Sequence, residues 1–426
     1  MDNIIKIRGN HKLTGEVKVS SCKNAAVAIL PSVVLASEIV KLYDVPDIED
    51  INVLIKLLKL LHIDVRQIDD ELIIDSTDIT NVDLIDEDVK KLRASYYFMG
   101  ALLSRFKHVR MYSPGGCNLG PRPIDLHLKG FEALGANITR DGDIICIDAD
   151  ELVGADIYLD FASVGATINI MLAACLAKGR TTIENAAKEP EIIDLSSMLN
   201  KMGAKIRGAG TSQISIDGVT RLKGCIHDII PDRIEAGTYI IAAAACGENV
   251  TVSNVIPQHI EALTSKLEEM GVKFEIGSDY VKVIDGNNLK AVDVITQPFP
   301  GFATDLQQPL TALMTKANGV SHIEETLYME RFRHCDELNK LGANISHTTG
   351  HSEICGPTVL KGNEITATDL RCGASLVIAG LMAEGETIIN DAYHIYRGYD
   401  SIIEKIRKLG GDIEWHILIY LIVILC

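Results

Sequence analysis

A pattern of about 70 residues recurs six times along the chain, and it constrains the fold more than any other feature. In each copy, a helix with apolar residues at three- and four-residue spacing is followed by two short strands of alternating polarity. In five copies the helix stops at a glycine, which accepts the left-handed backbone that closes a helix. The helix stops are His62, Gly135, Gly203, Gly271, Gly342 and Gly410.

A second block precedes this pattern: an alanine-rich helix, a short turn and a strand. It is clearest in residues 163–186, 234–255 and 370–391. Small side chains suit a fully buried helix that packs closely against its neighbours. Helix–glycine–strand sequences are common in α/β proteins, but the even spacing favours a repeated unit. Because the period exceeds that of solenoids and 426 residues exceed one ordinary core, we expect two globular domains of three repeats each.

Charge and cysteine content restrict the function classes. The net charge of −17 argues against nucleic acid or an anionic membrane as the main partner. An anionic substrate would therefore need a local basic cluster. The ten cysteines form no C-x-x-C pair, so neither a zinc site nor a redox motif is indicated. Unpatterned thiols are typical of the reducing cytoplasm, and the N-terminal residues show no signal-peptide core.

The C-terminal segment 416–426, HILIYLIVILC, is continuously apolar. Its 11 residues are too few to span a bilayer as a helix. The pattern favours a buried or edge strand. The alternative, an anchor at a membrane surface, lacks the basic flanking residues of such segments.

The stretch SPGGCNLGPRPIDLH, residues 113–127, places a thiol between glycine turns. Glycine lets backbone approach a ligand closely, and proline stiffens the segment. A cysteine reacts as its thiolate and donates a proton as its thiol, and Arg122, five residues after Cys117, would influence which form is present. A reactive thiol and an inert loop thiol both remain open on this pattern.

Lys23 and Asn24, in SCKNAA, open a predicted helix, where the first backbone amides favour an anion. A solvated lysine beside a capping asparagine is an equally good interpretation. Four arginines occur at turn positions, and a guanidinium is suited to bidentate binding of carboxylate or phosphate. They are Arg93, Arg331, Arg371 and Arg397.

Asp305 and Asp369 occupy matching places in two repeats, within ATDLQ and ATDLR. An aspartate at a helix start can cap the helix or act as a general base. The pattern alone favours the cap for both residues.

Together these motifs resemble the UDP-N-acetylglucosamine enolpyruvyl transferases of the EPSP synthase family. The resemblance extends from residue 1 to about residue 415. It rests on SCKNAA, LRAS, SPGGCNLGPRPIDLH, SVGAT, NAAKEPEIIDL, PDRIEAGT, TDLQ, ATDLR and YHIYRGY. The loop motif is specific, because the shikimate-pathway members of the family lack its cysteine.

The resemblance implies an α/β fold in which six βαβαββ repeats form a two-domain inside-out α/β barrel, with three repeats in each domain. The chain would cross between domains twice. Residues 22–230 would form the domain that carries Cys117, and residues 1–21 plus 231–426 would form the other. The active site is implied to lie in the cleft, with the Cys117 loop closing over it and excluding water.

The implied reaction transfers enolpyruvate from phosphoenolpyruvate to the 3′-hydroxyl of UDP-N-acetylglucosamine and releases phosphate, the first committed step of peptidoglycan synthesis. It is an addition and elimination: protonation of the methylene carbon makes C2 electrophilic, the hydroxyl attacks, and the tetrahedral intermediate loses phosphate and a proton. Two alternatives are the shikimate-pathway relative, with another acceptor, and a catalytically silent regulatory protein that binds the UDP-sugar.

The resemblance also implies residue roles. Cys117 would donate the proton and can bond covalently to phosphoenolpyruvate. Lys23, Arg122 and Arg397 would hold that trianion, and Asp305 would be the base facing the 3′-hydroxyl. Further implied substrate contacts are Asn24, Arg93, Pro123, Ile124, Asp125, Leu126, His127, Ser163, Val164, Gly165, Leu327, Arg331, Asp369 and Arg371.

No metal and no cofactor is implied. The expected partners are the two small-molecule substrates, and the expected location is the cytoplasm. One departure concerns Phe161, just before SVGAT, where some relatives carry lysine. One contact to the diphosphate would then be absent or replaced.

Overall fold

A computed structural model describes residues 2–113 and 124–418. The chain divides into two compact units, Ser21–Ile230 and Met1–Ser20 together with Pro231–Cys426. The first is called the N-terminal unit and the second the C-terminal unit. Each has its own continuous apolar core of buried aliphatic side chains.

Short strands and helices follow one another throughout the described chain. The strands are β1 (Asp2–Arg8), β2 (Leu13–Lys18), β3 (Val40–Tyr43), β4 (Asp64–Ile68), β5 (Glu71–Asp75), β6 (His108–Tyr112), β7 (Asn137–Asp141), β8 (Ile144–Asp148), β9 (Asp156–Tyr158), β10 (Arg180–Glu184), β11 (Lys205–Arg207), β12 (Gln213–Asp217), β13 (Ile226–Asp228), β14 (Gly247–Ser253), β15 (Lys273–Ile276), β16 (Tyr280–Asp285), β17 (Asp293–Ile295), β18 (Gly319–Glu324), β19 (Ile345–Thr348), β20 (His351–Gly356), β21 (Glu364–Thr366), β22 (Glu386–Asn390) and β23 (Asp412–Leu418).

The helices are α1 (Lys23–Ser32), α2 (Glu49–Leu60), α3 (Glu87–Lys91), α4 (Tyr97–Phe106), α5 (Asp125–Ala133), α6 (Val164–Ala174), α7 (Pro190–Lys201), α8 (Arg233–Cys246), α9 (Glu261–Met270), α10 (Thr304–Met314), α11 (Arg333–Lys340), α12 (Leu370–Met382), α13 (Tyr393–Tyr396) and α14 (Ile402–Lys408). Short 3-10 turns lie at Val33–Leu35, Arg93–Tyr96 and Pro257–Ile260.

The described strands form six sheets, three in each unit. In five of them an outer strand runs parallel to its neighbour, and two antiparallel strands follow. These sheets are β13-β3-β5-β4, β9-β10-β12-β11, β2-β14-β16-β15, β17-β18-β20-β19 and β21-β22-β1-β23. The sixth, β6-β8-β7, has three strands, and an isolated parallel bridge from Leu84 to Met111 stands in place of the outer strand. One strand order therefore recurs six times, once incompletely.

The six helix stops predicted from the sequence adopt left-handed backbone. The φ angles are 98° at Gly135, 106° at Gly203, 95° at Gly271, 96° at Gly342 and 95° at Gly410. His62 reaches 60° without being glycine. The predicted caps are confirmed, and His62 carries a backbone strain that glycine avoids.

One class of helix is buried on almost every side: α1, α4 and α6 in the N-terminal unit, and α8, α10 and α12 in the C-terminal unit. Glycine allows these helices to approach closely. A Cβ added to Gly100 in α4 would lie 2.4 Å from the backbone oxygen of Asn169 in α6. The buried helices predicted from alanine-rich segments are confirmed as α6, α8 and α12.

In the C-terminal unit, the backbone at Ser20 and Asp232 is held beside a buried ion pair of Glu235 and Lys405. Asp232 N–H donates to Ser20 O at 2.9 Å, and Ser20 N–H donates to Glu235 Oε2 at 3.0 Å. Lys405 Nζ lies 2.6 Å from Glu235 Oε1 and 2.5 Å from Ser20 Oγ. Burial raises the pKa of Glu235 to about 7, although the Lys405 ammonium opposes that shift.

The raised pKa of Glu235 predicts that the stability of the folded protein depends on pH. A group whose pKa is higher in the folded chain stabilises the fold fully below its ordinary pKa of 4.5, and that contribution is lost as pH rises through about 7. We expect the free energy of unfolding to fall by roughly 2 kcal/mol between about pH 5 and 8 because of this group. Glu235→Gln should remove that slope in denaturant titrations, whereas Glu261→Gln, at an exposed position in α9, should keep it. An unchanged slope in Glu235→Gln would refute the assignment.

The apolar C-terminal segment begins as an edge strand. Residues 416–418 lie in β23, which pairs antiparallel with β1. The edge strand is confirmed for these residues, and residues 419–426 lie outside the described ones. Within residues 2–113 and 124–418, no helix is both long and apolar enough to cross a membrane.

Candidate functional site

Lys23 is the first residue of α1, and its side chain is only 12% exposed. Its Nζ lies 2.7 Å from Oδ2 of Asp50, a buried residue in the first turn of α2. The solvated-lysine interpretation is therefore wrong. Asn24 lies inside α1 and Cys22 precedes the helix, so Asn24 is not the cap either. Nothing local in the sequence pointed to Asp50.

A second group of predicted residues meets at the N-terminus of α6. Ser163 is the N-cap, and its Oγ accepts a hydrogen bond from Ala166 N–H at 3.3 Å. Gly165 lies in the first turn. A Cβ added there would be 2.8 Å from the Tyr96 hydroxyl and 3.1 Å from His127 Nε2. The hydroxyl and the imidazole therefore converge on the helix end, where unpaired backbone amides favour an anion.

His127, in the first turn of α5, is buried and packs edge-on against the Tyr96 ring at 4.8 Å between centroids. Burial, and then the charge of Arg93, lower the pKa of His127 to about 3. The imidazole is therefore neutral at physiological pH. The Arg93 guanidinium carbon lies 5.6 Å from the Tyr96 ring centroid. The structure thus brings Arg93, His127, Ser163 and Gly165 together, and it adds Tyr96, which the sequence motifs did not single out.

The remaining predicted residues of this unit have separate positions. Ile124 precedes α5, and Asp125 and Leu126 open it. Val164 begins α6. Phe161 is 51% exposed, and its carbonyl accepts from Ser163 N–H at 2.7 Å. Cys117, Arg122 and Pro123 lie outside the described residues.

In the C-terminal unit, Asp305 is the centre of an ion-pair cluster. Arg331 Nη1 donates to Asp305 Oδ1 at 2.7 Å, and Arg371 donates to Oδ2 from Nη2 at 2.9 Å and from Nε at 3.1 Å. Both arginines are buried, while the Asp305 side chain is 25% exposed. Burial alone would raise the pKa of Asp305, but the charges of Arg371 and Arg331 hold it well below its ordinary value.

The sequence prediction that Asp305 caps a helix is wrong. Ala303 is the N-cap of α10, and Asp305 is the second helical residue, turned toward the two arginines. The same prediction is confirmed for Asp369, whose Oδ1 accepts from the backbone N–H of Arg371 and Cys372 at 3.0 and 3.1 Å. Asp369 therefore fixes the start of the helix that carries Arg371.

A fully buried carboxylate, Glu325, supports the cluster. Its Oε1 accepts from Leu327 N–H at 2.9 Å. This bond holds the backbone of Leu327, one of the substrate contacts that the resemblance implies. Its Oε2 accepts from Thr304 Oγ1 at 2.7 Å, and Thr304 Oγ1 in turn lies 3.1 Å from Arg331 Nη1. The sequence did not reveal the link from Glu325 to the cluster, because Thr304 lies 21 residues earlier, in a separate element.

Arg397 follows the short helix α13. Its charge, after burial, contributes to a lowered pKa of the neighbouring His394. Two residues further on, the ring centroid of Tyr399 lies 5.3 Å from the Arg371 guanidinium carbon. Arg331, Arg371 and Arg397 thus lie on or next to neighbouring elements of this unit. The Asp305 carboxylate bridges Arg331 and Arg371.

The chain matches the family model described as EPSP synthase (3-phosphoshikimate 1-carboxyvinyltransferase) over residues 7–406. It is 55% identical over 409 residues to UDP-N-acetylglucosamine 1-carboxyvinyltransferase 2 of Geobacillus kaustophilus, which covers 96% of each chain. It is 53% identical to the protein of the same name from Bacillus subtilis, again over 96% of each chain.

Solved structures of related enzymes have the same fold. The enolpyruvyl transferase NikO from Streptomyces tendae superposes with a TM-score of 0.89 at 25% identity, over 97% of this chain and 99% of that one. EPSP synthase from Acinetobacter baumannii gives 0.73 at 19% identity, over 98% and 100%.

Proposed function

The chain belongs to the EPSP synthase family and, within it, to the UDP-N-acetylglucosamine 1-carboxyvinyltransferases, and from this premise we propose that it transfers enolpyruvate from phosphoenolpyruvate to the 3′-hydroxyl of UDP-N-acetylglucosamine, with release of phosphate. The observation that carries this function is 55% identity over 96% of both chains to a protein of that name. The relatives compared are named as transferases, so the catalytically silent alternative has no support.

The proposed mechanism is addition followed by elimination. Cys117 delivers a proton to the methylene carbon of phosphoenolpyruvate, which makes C2 electrophilic. The 3′-oxygen bonds to C2 as Asp305 takes the hydroxyl proton. The C2–O bond to phosphate then breaks, and one proton of the new methyl group passes to the Cys117 thiolate, which restores both the double bond and the thiol.

Buried cations in each unit support the charge balance of this proposal. Lys23, Arg331 and Arg371 are buried or nearly so, and in such surroundings a charge interacts more strongly than in water. Each already has a carboxylate partner, so the free enzyme does not hold a bare buried cation.

The hydrogen-bonding geometry of Asp305 suits the role of a base, although its lowered pKa makes it a weak base in the free enzyme. A carboxylate has about four lone-pair sites, and the two arginines occupy three of them at most. One oxygen can therefore accept the substrate hydroxyl. The base becomes stronger when an anionic group of a bound substrate draws Arg331 or Arg371 away, because the attraction that lowers the pKa then weakens.

The proposal includes three wider points. The six sheets would form the inside-out barrel of the family, in domains 22–230 and 1–21 plus 231–426. The product would enter peptidoglycan synthesis and so serve cell-wall growth, shape and division. The enzyme would act in the cytoplasm, where its thiols stay reduced.

Acceptor specificity tests the proposal. We expect phosphate release from phosphoenolpyruvate to require UDP-N-acetylglucosamine, and we expect shikimate 3-phosphate not to replace it. The measurement is phosphate release with each acceptor, and the EPSP synthase of Acinetobacter baumannii serves as the control that its own acceptor is active. Equal release with shikimate 3-phosphate would overturn the assignment.

A further inference from the structure

Asn169 is a polar residue in the middle of the buried helix α6, and it is fully buried. Asparagine is a poor helix former, and a buried amide is costly unless its groups are hydrogen-bonded. The proposed mechanism does not use it. Its position therefore needs a reason, and its partners provide one.

The orientation of the Asn169 amide follows from its backbone partners. Oδ1 lies 3.0 Å from Gly100 N, and Nδ2 lies 3.1 Å from Tyr96 O. A backbone N–H can only donate and a carbonyl can only accept, so the oxygen must face Gly100 and the NH2 group must face Tyr96. Gly100 permits this approach, because a Cβ there would lie 2.7 Å from Asn169 Oδ1.

The second hydrogen of the same NH2 group determines the state of His127. Asn169 Nδ2 lies 2.8 Å from His127 Nδ1. Since Nδ2 is a donor, Nδ1 must accept, and the single proton of the neutral ring must sit on Nε2. A doubly protonated ring would place two donors against each other, which agrees with the pKa of about 3 that burial and Arg93 produce.

The edge of the His127 ring that carries Cε1 and Nε2 lies against the first turn of α6, 2.9 and 3.1 Å from where a Cβ of Gly165 would be, and the Tyr96 hydroxyl is 2.8 Å from that same point. The Tyr96 hydroxyl donates to the Tyr97 hydroxyl at 3.5 Å, so the donor that the lock adds at the helix N-terminus is the Nε2–H of His127. A neutral N–H can donate to a diphosphate without adding to the charge that Arg93 already brings to this cluster.

We propose that Asn169 is a positioning residue that locks His127 in its Nε2–H tautomer, so that this N–H donates to the diphosphate of the UDP-sugar at the N-terminus of α6. The inference rests on the proposed function for its ligand, but the tautomer is a property of the ligand-free protein. A second hydrogen bond joins the same two helices, α4 and α6, from Ser104 Oγ to Ala173 O at 3.1 Å, and it involves neither Asn169 nor His127.

The tautomer is read by nitrogen-15 NMR of labelled histidine rings in the ligand-free enzyme, with His127→Gln identifying the signal. We expect Nε2 to carry the proton in the wild type and in Ser104→Ala. In Asn169→Asp the second oxygen would face Nδ1 and cannot donate, so Nδ1 should become protonated. A wild-type proton on Nδ1, or no change in Asn169→Asp, would overturn the lock.

Kinetics test the consequence for the ligand. Asn169→Leu should raise KM for UDP-N-acetylglucosamine about 10- to 100-fold, the loss expected for one hydrogen bond to a charged group, and should leave KM for phosphoenolpyruvate largely unchanged. Ser104→Ala should change neither. In a His127→Gln background, Asn169→Leu should have no further effect on KM, because the two residues act as one unit.

Additive effects in that double variant, or a rise in KM for phosphoenolpyruvate instead, would refute the inference. A wild-type enzyme that does not use UDP-N-acetylglucosamine would refute the proposed function, and the NMR result would then decide the Asn169–His127 lock by itself. If Asn169→Leu does not fold, Asn169→Asp serves for the kinetics, with a raised KM expected at neutral or higher pH.

Discussion

Asp305→Asn is expected to lower kcat by a factor of about 10²–10⁴, the usual scale for loss of a general base. The amide keeps an oxygen for one arginine, but it cannot take the proton of the 3′-hydroxyl. The other arginine loses its hydrogen bond and both lose a counter-charge, but both cations remain in the site, so the KM values of both substrates should change much less than kcat. The measurement is steady-state kinetics of phosphate release.

Asp293→Asn provides the matched control, since Asp293 lies in the same unit, is 74% exposed and pairs with His322 outside the cluster. This variant should keep normal turnover. Near-normal turnover in Asp305→Asn would leave Asp305 only an electrostatic partner of the two arginines. A rise in KM without a fall in kcat would give it a binding role instead.

Fosfomycin, an epoxide that resembles phosphoenolpyruvate, is expected to alkylate Cys117 alone and to abolish activity. The described cysteines explain the selectivity, because a thiol reacts as its thiolate. Burial raises the pKa of Cys175, Cys246 and Cys372 to about 12, and raises that of Cys335 as well. The reaction should be faster with UDP-N-acetylglucosamine bound. Peptide mass mapping identifies the modified residue.

Cys146 and Cys355, both partly exposed, are internal controls for accessibility: Cys146 lies opposite Arg110 in the β6–β8 pair, and Cys355 lies beside the Glu353 carboxylate. They should stay unmodified. Cys117→Asp should keep some activity, since a carboxylic acid can still donate a proton, and it should resist the epoxide. Labelling spread over several cysteines, or irreversible inhibition of Cys117→Asp, would contradict the role assigned to the loop thiol.

The parts of the fold that the sequence predicted depend on neighbouring residues. The left-handed helix stops follow from a glycine after an amphipathic helix, and the buried helices follow from runs of small residues. Asp369 caps its helix through amides two and three residues away, so a local pattern was enough. Asp305 has the same local pattern, but its side chain turns to partners 26 and 66 residues away.

The parts that the sequence did not predict depend on contacts between distant elements. Lys23 is paired with Asp50, and His127 owes its tautomer to Asn169, 42 residues later. Such pairs have no fixed spacing, so no periodicity indicates them. The signal that could have found Asn169 is a lone amide in an otherwise apolar helix, because a buried polar group requires partners.

The bond formed in the product tests the central claim most directly. Phosphoenolpyruvate labelled with carbon-13 at C2 is turned over with UDP-N-acetylglucosamine, and the product is examined by carbon and proton NMR. The account predicts a vinyl ether in which the labelled carbon is joined to the 3′-oxygen of the sugar, with one phosphate released for each molecule formed. Label recovered only as pyruvate beside unchanged UDP-N-acetylglucosamine, or joined to a different oxygen, would contradict it.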